Sequence, residues 1–343
     1  MLFWLVYVVA FIATWLLTGL VREYAIKRSL LDIPGDRSSH QVPTPRGGGV
    51  AIVLAFSACA AWFQFAGGLS SQCWLAVLGA GLITAAIGFL DDHGHIAARW
   101  RLLGHFAAAG SALLLLDNLP FSESFRAVGL MWGLYLLAAL FLVWMLNLYN
   151  FMDGIDGIAS VQAISVCAGA SLLYYCTGHA LLGVFVLPLA ACVLGFLCWN
   201  FPPAKIFMGD AGSGFLGVVL GVLALYAGSV ASVYFWAWLI LMGVFIVDAT
   251  FTLFRRFMRG EKIYQAHRRH GYQFAARRHG AHMSVTLGVM AINLCWLLPI
   301  GFLVVQSLLN PVLGVIIAYL PVLWLAVKYG AGAEESKAAP VGP

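Results

Sequence analysis

The sequence predicts an all-α, polytopic membrane protein with about eleven transmembrane helices. Three observations predict it. Hydrophobic residues fill 62% of the 343 positions and charged residues only 10%, and the mean hydropathy is +0.91, far outside the range of soluble globular domains. Mostly apolar runs of about 20 residues, the length that carries a helix across a bilayer, recur from one end of the chain to the other. Of the nineteen Lys and Arg residues, all but Arg126 fall in links on one face of these runs.

In order, the runs are 2–20, 48–66, 73–90, 103–117, 129–146, 158–176, 180–199, 213–230, 232–252, 284–306 and 309–327. The first lacks a basic n-region and a small-residue cleavage site, so it reads as a retained span and not a signal peptide. Short links at 67–72, 118–128, 177–179, around 231 and around 307 alternate with longer polar links at 21–47, 91–102, 147–157, 200–212 and 253–283. The positive-inside rule then places the longer links and the C-terminus in the cytoplasm and the N-terminus in the periplasm. Residues 1–328 read as one integral membrane domain, with an Ala/Gly-rich tail, 329–343, expected to be disordered. The seven cysteines sit singly in apolar runs, without a C-x-x-C or a His/Cys cluster, and read as small core hydrophobes.

Five polar clusters fall on the predicted cytoplasmic face. The densest is Asn147-Leu-Tyr-Asn-Phe-Met-Asp-Gly-Ile-Asp-Gly157, where Asn147, Asn150, Asp153 and Asp156 recur every three residues. On a helix such a row drifts by about 60° per step, so the four groups fan across one side. They are expected to floor a site at the water-facing end of a helix. Asp32–Gly49, rich in Pro and Gly and ending in Arg46 and three glycines, is either an ordinary turn or a loop whose backbone amides cradle an anion. Asp91 and Asp92, followed by Arg99 and Arg101, are either a solvated ion-pair cluster or a cation-requiring carboxylate pair. Gly209-Asp-Ala-Gly-Ser-Gly214, behind Lys205, offers amides and a positive helix end to a phosphate, or is simply a helix cap. The basic loop Arg255–His282 holds His267-Arg-Arg-His270, better suited to a diphosphate than to zinc, or to anionic lipid. Asp248, inside the ninth run, is either functional or a structural partner of Arg255.

Taken in order, Pro-Thr-Pro-Arg-Gly-Gly, Asp-Asp, Asn-x-x-Asn-x-x-Asp-Gly-x-Asp-Gly, Phe-x-Gly-Asp-x-Gly-Ser and a late His-containing loop, the chain resembles the polyprenyl-phosphate N-acetylhexosamine-1-phosphate transferases over essentially its whole length. Its layout is more similar to the O-antigen-initiating branch than to the peptidoglycan branch. The resemblance implies that a UDP-N-acetylhexosamine and undecaprenyl phosphate give undecaprenyl-diphospho-sugar and UMP, with Mg²⁺ or Mn²⁺, at the cytoplasmic face of a bacterial inner membrane. It implies catalytic roles for Asp91, Asp92, Asp153 and Asp156, and metal ligation by Asp210 and Asp156. It also implies substrate contacts from Arg46, Arg101, Asn147, Asn150, Lys205, Gly212, Ser213, His267, Arg268, Arg269 and His270. The family's late His-x-His-His motif reads His-Arg-Arg-His here, and Gln265-Ala266 stand nearest its usual Pro-Asp. This departure points to a different sugar, such as the 6-deoxy N-acetylfucosamine, beside N-acetylglucosamine. Membrane lipids are implied partners, a homodimer stays open, and nothing calls for nucleic acid.

The residues suit this chemistry. A phosphate attacking a diphosphate gathers negative charge, so positioning and neutralisation matter more than a covalent partner. The rival reading is a transporter, which the many spans and Asp248 would suit. Transporters, however, place their sites near the midplane between repeated halves, and no repeat is visible in this sequence. A scaffold with a dead site would have lost carboxylates that are all present.

Overall fold

Inside hydrocarbon every backbone N–H and C=O must find a partner within its own segment, which long apolar runs achieve as helices. The computed structural model describes residues 2–34, 42–65, 71–94, 96–262 and 267–334. All eleven apolar runs are helical in it. They form α1 (Leu2–Lys27), α2 (Gly49–Phe65), α3 (Ser71–His93) and α4 (Ala98–Leu115), then, after a short α5 (Ser122–Ala127), α6 (Met131–Met152), α7 (Ile158–Cys176), α8 (Ala180–Asn200) and α9 (Asp210–Val230). The chain continues through α10 (Ser232–Leu241), α11 (Gly243–Met258), α12 (Gly271–His279), α13 (His282–Ile292), a π-helical turn (Asn293–Leu297), α14 (Leu298–Val305) and α15 (Pro311–Lys328). Among the described residues, eight helices are long and apolar enough to cross a membrane, and nine if the bent pair α10–α11 counts as one span. Large apolar side chains such as Leu114 and Trp132, 89% and 87% exposed, face outwards from the bundle, as lipid-facing positions must.

Helix α9 is the centre, with 83% of its apolar window buried, whereas α1 and α15 bury only 17% and 22% of theirs. It packs against α3, α6, α2 and α10. Its entrance is reached by backbone contact: a Cβ on Gly49 at the start of α2 would lie 2.8 Å from Gly212 N and 2.9 Å from Met208 O. Small residues are what let membrane helices approach this closely.

The ninth expected span is not straight. It breaks at Met242, and α11 leaves α10 at 70°. The break frees the Leu241 carbonyl, which takes a hydrogen bond from Gln162 Nε2 at 3.1 Å, and Gln162 Oε1 in turn accepts from Asn293 Nδ2 at 2.8 Å. The physical reason for the turn lies in composition: Asp248, Arg255 and Arg256 put a polar side on α11 that a straight transmembrane course would strand in lipid.

Two expected loops carry structure. Within 21–47, Leu31–Asp32 (β1) pairs antiparallel with Thr44–Pro45 (β2), with 35–41 lying outside the described residues. Within 253–283, α12 forms after His270, with 263–266, which include Gln265 and Ala266, outside the described residues. The expected disordered tail needs correction at its near end. Tyr329–Ala333 turns back on the bundle and Ala331 is fully buried, while 335–343 lie outside the described residues.

Candidate active site

The site forms where α9 begins. The segment after β2 zips onto the chain just before α9: Phe207 N donates to Pro45 O at 2.8 Å, Gly48 N to Phe207 O at 2.9 Å and Gly49 N to Met208 O at 2.8 Å. The amides of Gly48 and Gly49 are therefore taken by carbonyls and do not cradle an anion, while 35–41 of the same loop lie outside the described residues. Arg46 projects from the same segment and donates to the backbone carbonyl of Asp92.

The amides at the head of α9 are also occupied. Asp210 N and Ala211 N donate to the two carboxylate oxygens of Asp92 at 3.2 and 3.3 Å, and Gly212 N and Ser213 N donate to Gly209 O. The anion at this helix end is therefore the chain's own Asp92, and the expected phosphate contact through the Gly212 and Ser213 amides is not available. Ser213 takes part through its hydroxyl, 3.1 Å from Asn150 Nδ2.

Asp91 has the opposite environment. Its carboxylate accepts from Ile96 N at 2.8 Å and Arg101 Nη1 at 2.6 Å, and the same guanidinium nitrogen stands 3.7 Å from Asp210 Oδ2. Asp210 Oδ1 accepts from Asn150 Nδ2 at 2.8 Å. One turn earlier on α6, Asn147 Nδ2 donates to Val143 O and lies 3.3 Å from His105 Nδ1 of α4.

The helical spacing expected of the four-residue row holds for its first half only. Asn147 and Asn150 sit on the last turns of α6, Asp153 caps its end, and Asp156 lies in the turn before α7. Asp156 is held on both sides: Ala204 N donates to Oδ2 at 3.0 Å, and His282 Nδ1 lies 3.2 Å from Oδ1. Asp153 sits among its neighbours' charges. Burial first, then Asp210, Asp92 and Asp156, push its carboxyl well above the usual carboxylate range.

Two cavities meet here. One, of about 240 Å³, is polar and is lined by Arg46, Asp92, Asp153, Asp156, Phe207, Gln273 and His282. The other, of about 820 Å³, is a groove whose walls are Ile87, Leu102, Phe106, Leu140, Trp144 and Leu253 and whose polar end carries Asp91, Arg101, His105 and Asn147. Asn150 and Asp210 line both.

The remaining expected substrate residues lie elsewhere. Lys205 lines neither cavity, and its ammonium sits over the Trp199 ring at 5.8 Å. His267, Arg268, Arg269 and His270 line neither cavity as well. Glu261 explains part of this: it binds Arg269 at 3.0 and 2.9 Å and the buried Arg256 at 2.9 Å, so these two cations are engaged within the loop. His267 stacks on His270 at 4.9 Å, and burial, then His270, Arg256 and Arg269, push its pKa down to about 3, so it is neutral and no phosphate-binding cation. His270 is buried, with Nδ1 3.3 Å from Asp248 Oδ1. Asp248 is structural, though not through Arg255: it accepts from Gly271 N at 2.9 Å and Tyr272 N at 2.8 Å and so fixes the start of α12.

The loop reaches the site through residues the sequence reading missed. Gln273, on α12, and His282, at the start of α13, line the polar cavity, and Tyr272 donates to Phe151 O at 2.9 Å. Gln273 had a signal: it stands three residues after His270, the position of a capping-box partner, and its Oε1 accepts from His270 N at 3.2 Å. His105 had none beyond its place in an otherwise apolar run.

Among known proteins, the profile described as glycosyl transferase family 4 matches residues 74–228. A probable undecaprenyl-phosphate N-acetylglucosaminyl 1-phosphate transferase of Bacillus subtilis is 32% identical over 266 residues, covering 75% of this chain and 72% of that protein. A decaprenyl-phosphate N-acetylglucosaminephosphotransferase of Mycolicibacterium smegmatis is 31% identical, covering 63% of this chain and 58% of that protein. A phospho-N-acetylmuramoyl-pentapeptide-transferase of Rickettsia bellii is 29% identical, covering 54% and 60%.

Proposed function

The chain belongs to glycosyl transferase family 4, among the polyprenyl-phosphate sugar-1-phosphate transferases, and from this we propose that it moves N-acetylhexosamine 1-phosphate from a UDP-sugar to undecaprenyl phosphate. The observation that carries the reading is the meeting of a polar cavity and an apolar groove at Asn150 and Asp210. A lipid phosphate needs an apolar trough ending in cations, and a nucleotide-sugar needs a polar pocket. Transfer between them needs one shared point.

In this reading the prenyl chain lies in the 820 Å³ groove and its phosphate meets Arg101, with His105 and Asn147 beside it. Asp91, paired with Arg101, keeps the acceptor phosphate ionised. The donor occupies the polar cavity, where Arg46 offers its diphosphate a planar cation. Asp92 is the anchor of α9 more than a base, because both of its oxygens serve amides.

The donor set suits Mg²⁺, which takes a few carboxylates and fills its shell with phosphate oxygens and water. Asp210 and Asp153 would hold it, whereas the Asp156 carboxylate is already held by Ala204 N and His282. Among the described residues no three His, Cys, Asp or Glu side chains form a ready cage, so the substrate phosphates complete the site. Bound there, the ion would neutralise charge on the transferring phosphate.

Asp153 makes this testable without turnover. Its folded pKa stands above the ordinary 3.8, so the folded protein keeps a proton that the unfolded chain has released. Stability of the metal-free protein is therefore expected to fall as pH rises from 3.8 through the folded value. Mg²⁺ binds the ionised form, so its stabilisation should grow over the same range. Thermal midpoints between about pH 5 and 8, in EDTA and in Mg²⁺, check this, and Asp153→Asn should flatten the slope. Parallel curves would argue against a cation at Asp153.

For the donor, N-acetylglucosamine or a 6-deoxy N-acetylhexosamine, and for the product, a lipid-linked starter for O-antigen at the cytoplasmic face of the inner membrane, are the finer parts of the proposal. The motif layout and the segregation of Lys and Arg support them. Purified protein, undecaprenyl phosphate, Mg²⁺ and a panel of UDP-N-acetylhexosamines test the whole. UMP released only when lipid phosphate and metal are both present is the expected result. No UMP from any donor with folded protein would return the transporter reading.

A further inference from the structure

The chain beyond α15 is built into the donor side of the site. Tyr329 OH lies 2.9 Å from Nε2 of His279, the last residue of α12. Gly332 N donates to Arg269 O at 2.7 Å, two residues before α12 begins. The segment therefore grips α12 near both ends. Helix α11 holds it from beneath: Arg255 Nη1 donates to Ala331 O at 3.1 Å and Arg259 Nη1 to Gly332 O at 2.6 Å. Ala331 is fully buried, close to the start of α12, where a Cβ on Gly271 would lie 3.4 Å from the Ala331 methyl.

Gly332 makes the arrangement sensitive to substitution. Its φ is +70°, and a Cβ there would stand 2.9 Å from Thr252 O and 3.1 Å from Arg255 Cβ. Any other residue is strained in its backbone and pushed off α11. What α12 delivers to the site is Gln273, in the polar cavity, and Tyr272, bonded to Phe151 O.

We propose that Tyr329–Ala333 is a strap that positions α12, and through Gln273 sets how tightly the polar cavity holds the nucleotide-sugar donor. This rests on the transferase reading for the identity of the donor, and on the geometry alone for the grip on α12. No residue of the strap lines the apolar groove, so lipid phosphate binding should not respond to it.

Gly332→Ala and Tyr329→Phe, each in the full chain, test it. Hydrogen exchange over residues 267–279 should speed up in both, because loss of a tether lowers the local opening free energy. In Gly332→Ala the KM for the UDP-sugar should rise about fivefold, the effect of losing about one net hydrogen bond. The KM for the lipid phosphate should stay at its wild-type value, and the thermal midpoint should fall only by the backbone strain of a non-glycine residue at φ +70°. Tyr329→Phe should move the donor KM in the same direction by less. Unchanged exchange in both variants overturns the strap. Faster exchange with an unmoved donor KM overturns its role in donor binding, and so does an equal rise in both KM values with a lower midpoint, which marks general destabilisation. A wild-type protein that releases no UMP from any donor removes the transferase reading instead, and the exchange data then decide the strap alone.

Discussion

Asp210→Asn is expected to reduce UMP release on the order of 10²–10³-fold or to abolish it, while the protein stays folded. The fold should survive for a stated reason. The head of α9 is capped by the Asp92 carboxylate through the backbone of residues 210 and 211, which the substitution leaves in place. An asparagine oxygen can still accept from Asn150 Nδ2 at the 2.8 Å contact. It also removes one of the carboxylates that crowd Asp153, so the midpoint should hold or rise. What is lost is the charged oxygen at the point shared by both cavities, where a cation and the transferring phosphate would meet. Turnover and the thermal midpoint, measured on the same preparation, check it. Near-normal turnover would refute the metal role.

The neighbouring pair gives a contrast. Asp92→Asn keeps only one acceptor oxygen for two amides and turns an N–H₂ towards the other. It should lower stability by about 1–2 kcal/mol, as losing a helix cap does. Asp91→Asn leaves α9 capped, so its loss should fall on turnover and not on the midpoint.

This division of labour was not legible in the sequence, and the reason is distance along the chain. Asp91-Asp92 reads as one motif, yet Asp92 serves amides 118 residues away while Asp91 serves Arg101, ten residues on. Asn147 and Asn150 were legible because helical spacing sets their geometry, whereas Asp153 and Asp156 lie past the end of α6, where that spacing no longer applies. Gly48 and Gly49 were misleading for the opposite reason: amides that are free in sequence become paired once the chain before α9 lies alongside them. In the late loop a clue was present: Glu261 is the single acid between 253 and 283, and it pairs with Arg256 and Arg269, two of the cations around it. The break in α10–α11 had only a weak sign, a Met-Gly step followed by charges on one side of the helix.

The largest structural effect is expected from Gly49→Val. Helices α2 and α9 start against each other there, and a Cβ would meet backbone: Gly212 N at 2.8 Å and Met208 O at 2.9 Å. Side chains can turn away from a clash, but these atoms belong to helix ends that are hydrogen-bonded in place, with Gly49 N itself donating to Met208 O. Relief requires moving α2 or the head of α9. Overpacking of this kind costs about 3 kcal/mol or more, a large share of the roughly 5–15 kcal/mol that holds a typical domain. The displaced element carries Asp210, so any protein that still folds should have lost turnover as well. Gly47→Ala is the control. Gly47 lies two residues earlier at φ +94° with no atom within 4 Å of a Cβ, so it should cost only backbone strain, about 1–2 kcal/mol. Thermal midpoints and the monodisperse fraction in detergent separate the two. Equal loss at both positions would mean that the turn's backbone conformation matters and the crossing does not. A much larger loss at Gly49 would mean that the contact between α2 and α9 is what holds Asp210 where the two cavities meet.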